Sequence, residues 1–177
     1  MTPLDKLIAT DEIRRLVLRY SVAITERDVD LMVSLHDEHA SFGIYGTGAD
    51  ALRRLMDATM GDLRFGVILV ANHLVDFVDD HHARGEVWAR CYAQNDSGYY
   101  TQLIRYLDRY VDCGAGTGEP DWRFANRKHH LWFGEAQPSP LAQPPANWPD
   151  SQVGVGNIPL ADPAVVEWRE AQGLTST

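Results

Sequence analysis

The chain has 177 residues, 45% of them apolar and 23% charged, with five Trp and seven Tyr. A chain of this length buries roughly 70% of the surface its unfolded form exposes, which excludes disorder of the whole and makes one soluble domain the natural expectation. The formal charge of −9 argues against a surface for nucleic-acid phosphates, and Cys91 and Cys113 are too few for a disulfide framework or a Cys-rich zinc site. With no signal-peptide core near Met1 and no apolar run of spanning length, no membrane partner and a cytoplasmic location are expected.

In chain order, Ile13, Leu16, Val17, Tyr20, Ala23 and Ile24 recur at helical spacing, so the first element is a helix capped at Thr10 or Asp11. Asp28 caps a short second helix with Val29, Met32 and Leu35 inward. His39 to Tyr45 reads as a short strand ending in the turn Gly46-Thr47-Gly48. A third helix carries Leu52, Leu55, Met56 and Met60 on one side and closes at Gly61.

The period then changes from 3.6 to 2. Strands are predicted over 72–79, 86–94, 99–111 and 122–131, the second and third joined by the turn Asn95-Asp96-Ser97-Gly98. Helices followed by an antiparallel meander make an α+β domain. Seven of the nine prolines fall between 135 and 163, so the chain divides into a domain over 1–134 and a Pro-rich extension over 135–177. Trp148, Val153, Val155 and Ile158 favour packing of that extension on or near the domain.

Tyr20, Asp28-Val29-Asp30, Asn72-His73-Leu74-Val75, the run Arg105 to Tyr110 and Trp122-Arg123-Phe124-Ala125, in this order, resemble the SnoaL-like family of the nuclear transport factor two-like superfamily. The resemblance covers about residues 8–131. It implies a cone-shaped α+β barrel, a curved and mostly antiparallel sheet wrapped by three N-terminal helices around a pocket. Such domains often pair through the outer face of the sheet, so a homodimer or higher homo-oligomer is expected. The superfamily holds dehydratases, polyketide cyclases, ketosteroid isomerases, a dehydrochlorinase, carbon–carbon lyases and non-catalytic binding subunits. The fold alone therefore leaves the reaction open.

His73 shares a strand face with Val75 and Phe77 and points inward, where an imidazole can exchange a proton near neutral pH. Its position resembles the catalytic histidine of the scytalone dehydratase-like and dehydrochlorinase branches. Those branches carry an aspartate where this chain has Thr25, which cannot hold a histidine by charge. Asp108, on the face of Ile104, Tyr106 and Tyr110, either replaces that carboxylate or forms an ion pair with Arg105, Arg109 or Arg127. Tyr106 is either a donor to developing negative charge or core packing.

On the last strand Arg127 and His129 face the cavity mouth, in alternation with Trp122 and Phe124. Arg127 there either clamps a carboxylate or carbonyl or makes a surface ion pair. Tyr20 either reaches the pocket or packs. If the small face of Ala89, Cys91 and Ala93 turns outward, Trp88 and Tyr92 line the pocket instead.

His36-x-x-His39 lacks a third ligand, and no phosphate loop or nucleophile elbow is present, so no metal or organic cofactor is expected. The reading is a cofactor-independent lyase or isomerase for a small apolar, aromatic or polyketide-like molecule. Its alternative is a non-catalytic binding subunit. The catalytic candidates are His73, Tyr106, Asp108 and Arg127, with Tyr20, Thr25, Trp88, Tyr92 and His129 as substrate contacts.

Overall fold

The computed structural model describes residues 1–61, 63–95, 98–117 and 119–137. Helix α1 spans Pro3–Glu26 and starts well before the predicted caps. Thr2 is the reason: its hydroxyl accepts from the Asp5 amide at 3.2 Å while the Asp5 carboxylate accepts from the Thr2 amide at 2.7 Å. Pro3 fills the first helical position, where no amide is needed. The helix ends at Arg27, whose φ of 60° turns the chain left-handed. Helix α2, Val29–Ser34, begins as expected at Asp28, whose carboxylate accepts from the Leu31 amide at 2.7 Å.

The segment read as a strand over His39–Tyr45 is not one. Gly43, Gly46 and Gly48 all take positive φ, Gly43–Tyr45 forms a single 3-10 turn, and only Ser41 and Thr47 bridge. A chain turned left-handed at three glycines cannot stay extended. Helix α3 follows at Ala49–Met60 and closes at Gly61.

Four strands, β1 (Leu63–Phe77), β2 (His82–Asn95), β3 (Gly98–Asp112) and β4 (Trp122–Gln137), make one antiparallel sheet in the order β1-β2-β3-β4. The sheet curls into a half-barrel, and α1 lies across its concave side against β1 and β4. Ile13, Leu16 and Val17 of α1 pack there on Val87, Ala89, Ile104, Tyr106, Tyr110 and Phe124. A second cluster, Ala23, Met32, Leu52, Met56 and Met60, joins α1, α2 and α3 at one end. No described helix is long and apolar enough to cross a membrane.

Bulges decide which side chains reach the concave face. On β1, Val70 faces Ala89 but His73 faces Val87, so one extra residue is inserted and Ile68, Val70, His73, Val75 and Phe77 all turn inward. On β4, Arg109 pairs with Asn126 while Tyr110 pairs with Phe124, leaving Ala125 unpaired. The predicted alternation of Arg127 and His129 against Trp122 and Phe124 therefore fails: the bulge puts all four on the concave side. The turn expected at Asn95–Gly98 is described only at its ends, where the Gly98 amide donates to the Asn95 side chain at 3.1 Å. Residues 135–137 continue β4, and the rest of the expected Pro-rich extension lies outside the described residues.

Candidate active site

Among the described residues, the concave face carries one buried ion pair. Asp108 (β3) and Arg127 (β4) are directly opposite in register, and Arg127 donates from Nε to Oδ1 at 2.9 Å and from Nη2 to Oδ2 at 2.7 Å. Their side chains are 0% and 6% exposed. Such a bidentate fork fixes both groups in one plane. The guanidinium carbon lies 4.3 Å from each of the Tyr20, Tyr106 and Phe124 ring centres, so aromatic faces stand in for water around the cation. Burial opposes the Arg127 charge, and the Asp108 carboxylate more than offsets it, so the guanidinium is held more firmly protonated than usual.

A line of hydrogen bonds leads from this pair to β1. The Tyr110 hydroxyl donates to Asp108 Oδ2 at 2.7 Å, and His73 Nε2 lies 3.1 Å from the same hydroxyl oxygen. Tyr110 is 1% exposed, whereas the His73 ring is half-buried and its Nδ1 has no protein partner among the described residues. Burial pushes the His73 imidazole down to about 4; Asp108 opposes the shift, while Arg127 and Arg14 add to it. The ring is therefore neutral at pH 7 and able to accept a proton. Burial, then the adjacent Asp108 charge, pushes the Tyr110 phenol up, so it stays protonated.

Tyr106 sits beside the line, 4% exposed, its ring edge-on to Tyr20 at 6.1 Å and 5.4 Å from His129. Burial first, then the Tyr20 hydroxyl, raises its phenol well above the usual value. That hydroxyl has no protein hydrogen-bond partner among the described residues. His129 pairs with Tyr106 across the strands and is exposed at the rim. His73, Tyr106, Asp108, Arg127, Tyr20 and His129 thus share one face.

Three predicted contacts stand apart. The Thr25 hydroxyl donates to the Ser21 carbonyl at 3.1 Å and is not joined to His73. Trp88 and Tyr92 lie on the outer face, so the arrangement in which they line the pocket is not the one adopted. Trp88 donates to Glu86 at 2.9 Å and meets Trp132 at 4.9 Å, while Tyr92 stacks on Tyr99 at 6.3 Å. The opposite side of β2 is the covered one: Ala83, Val87 and Ala89 are buried in one cluster with Ile13, Leu16 and Val17 of α1, and Gly85 lies against the Tyr110 ring.

Two residues of the assembly had no role assigned from sequence. Tyr110 was visible only as a face-mate of Asp108. His36, half of a weak metal pair by sequence, is 7% exposed, donates from Nδ1 to the Met32 carbonyl at 2.8 Å, and lies 5.1 Å from the Phe124 ring. Burial holds it down to about 4, against the Met32 hydrogen bond. Nothing in its sequence context separates it from any buried histidine. Among the described residues, no group of His, Cys, Asp or Glu is clustered to hold a metal.

The SnoaL-like domain model matches residues 5–128. Among curated proteins none matches the chain. Solved structures with the same fold include a hexachlorocyclohexane dehydrochlorinase, LinA type 2, with 16% identity, a TM-score of 0.71, and 82% of this chain and 100% of that chain covered. A candidate scytalone dehydratase from Novosphingobium aromaticivorans DSM 12444 has 17% identity and a TM-score of 0.66, over 80% of this chain and 98% of its own. A protein of unknown function from Mycobacterium tuberculosis has 23% identity and a TM-score of 0.59, over 94% of each chain.

Proposed function

The chain belongs to the SnoaL-like domain family, and from that premise we propose that it is a lyase or isomerase that works by acid–base chemistry on a small, largely apolar molecule of aromatic or polyketide-like type. The observation that carries this reading is the neutral, half-buried His73 with one ring nitrogen free, tied through Tyr110 to the buried Asp108–Arg127 pair. His73 takes a proton from an acidic carbon or hydroxyl of the substrate. The bonding pair left behind forms a double bond as a leaving group departs, or is reprotonated elsewhere in an isomerisation. The Asp108 charge stabilises the imidazolium that results.

Tyr106 donates to negative charge developing on the substrate, and Arg127 holds the Asp108 carboxylate in place through two hydrogen bonds. Tyr20 and His129 bound the substrate at the rim. Fold neighbours whose names state dehydrochlorinase and scytalone dehydratase activities support elimination in particular. The chain's own residues supply every group this chemistry needs, without a cofactor. On the outer face Leu69, Leu74, Trp132 and Phe133 are each more than half exposed, which supports a homo-oligomer paired through that face. The proposed setting is the cytoplasm.

A thermal-shift screen of aromatic and polyketide-like compounds is the first experiment, since ligand at about 100 times its Kd adds about 2.7 kcal/mol. With a hit that turns over, His73→Gln is expected to lower kcat/KM by about 10²- to 10⁴-fold. Unchanged turnover would refute the proposed base. The second reading, a binding subunit, draws on Thr25, whose hydroxyl is committed to the Ser21 carbonyl. A compound that binds and never reacts would favour it.

A further inference from the structure

His73 has two ring nitrogens, and its chemistry depends on which one carries the proton. The Tyr110 hydroxyl has a single hydrogen and two neighbours, Asp108 Oδ2 at 2.7 Å and His73 Nε2 at 3.1 Å. Asp108 is an anion held by two bonds from Arg127, and an ionised acceptor outcompetes a neutral imidazole nitrogen. The phenol hydrogen therefore belongs to Asp108. The phenol oxygen is then left as an acceptor, and its contact with His73 persists only if Nε2 carries hydrogen.

A second feature shows how the phenol comes to lie there. Gly85, on β2 opposite Asp108, sits under the Tyr110 ring. A Cβ at Gly85 would stand 2.5 Å from the Tyr110 hydroxyl oxygen and 2.6 Å from the ring. A side chain at that position would push the phenol off the line between His73 and Asp108.

We infer that Tyr110, seated in the gap left by Gly85, is a positioning residue that holds His73 as the Nε2–H tautomer, with Nδ1 as the nitrogen that accepts the substrate proton. The inference rests on the acid–base reading for the role of Nδ1, but the tautomer itself does not depend on any substrate. The charged groups acting on the ring are Arg14 from α1, Asp108 from β3 and Arg127 from β4, and none of them contacts Nδ1. That nitrogen is therefore left to the ligand.

The test is nitrogen-15 NMR of the histidine side chains in the full chain at neutral pH, with His73 assigned from the His73→Gln spectrum. The expected result is Nε2–H over Nδ1–H by about tenfold, the bias one hydrogen bond of ordinary strength supplies. Tyr110→Phe should bring the two tautomers toward equal populations. Gly85→Ala, which keeps the hydroxyl but displaces it, should do the same. An Nδ1–H ring in the unmodified protein, or a tautomer unchanged in Tyr110→Phe, overturns the inference. Should Gly85→Ala fail to fold, the unmodified protein and Tyr110→Phe still decide the question. Loss of the catalytic reading through an active His73→Gln variant would leave the tautomer result standing, so the two failures are distinguishable.

Discussion

Asp108→Asn isolates what the buried ion pair contributes. The carboxylate receives three hydrogen bonds, two from Arg127 and one from Tyr110, and it has no exposed surface. The amide keeps the shape but removes the charge, which leaves the Arg127 guanidinium buried without a counter-ion. Breaking one side of such a pair costs about 3–5 kcal/mol. Three aromatic rings at 4.3 Å still face the cation, which favours the lower end, about 3 kcal/mol.

In a chain of this size each kcal/mol moves Tm by roughly 2–4 °C, so a fall of about 6–12 °C is expected. Thermal and urea unfolding of Asp108→Asn, Asp108→Leu, Arg127→Met and the double variant Asp108→Leu with Arg127→Met measure it. Each single change should be strongly destabilising. The double variant should recover most of the loss, because two apolar groups of similar volume leave no charge buried. A loss below about 1 kcal/mol in Asp108→Asn, or a double variant as weak as the sum of the singles, would refute a desolvated pair.

The remaining expectations follow from the same face. With His73 held near 4 by burial, kcat/KM should stay level from neutral pH down to about pH 5 and fall below it; an acid limb centred near 6.5, the unperturbed value, would contradict the neutral buried ring. His36 is also held near 4 against about 6.5 unfolded, so the unfolded chain takes up the proton first. On account of His36 stability is then full above about pH 6.5 and falls by up to about 3 kcal/mol toward pH 4, with His73 adding to the fall over the same range. His36→Phe should flatten that slope in urea midpoints, and parallel slopes would remove His36 as its cause. Phe124, 0% exposed and touching Tyr20, His36, Tyr110 and Arg127, should lose about 3–5 kcal/mol as Phe124→Ala, measured by the same unfolding assay.

Much of the architecture is legible from local chemistry. The helical repeat of Ile13, Leu16, Val17 and Tyr20, the cap at Asp28 and the stop at Gly61 are short-range signals, and they place α1, α2 and the end of α3. The inward faces of β1 and β3 also follow from alternation, because His73, Val75 and Phe77 lie beyond the β1 bulge and β3 runs unbroken against β2. Alternation fails on β4, where the extra residue at Ala125 resets the period. A bulge depends on how one strand twists against its neighbour, and no nearby residue announces it. The sequence marks one face of β2 as small without giving its direction, because only the tertiary core around Ala83, Val87 and Ala89 settles which side is covered.

What the sequence by itself determined is the family, the helix-then-meander order and the identity of His73, Tyr106, Asp108 and Arg127 as the polar residues of a predominantly apolar face. Their partners were another matter. Asp108 had three arginines within reach by sequence, and register alone selected Arg127. The carboxylate missing at Thr25 is not replaced by direct contact with His73; Tyr110 intervenes, and it can do so because Gly85 leaves room across the strand. Pairing of this kind joins residues 37 positions apart and turns on ångström-scale clearances. Local preference cannot specify those, whereas a curled, densely packed sheet does. The chain's 177 residues and net acidity therefore bounded the class of molecule, while the polar line inside it came into being only with the fold.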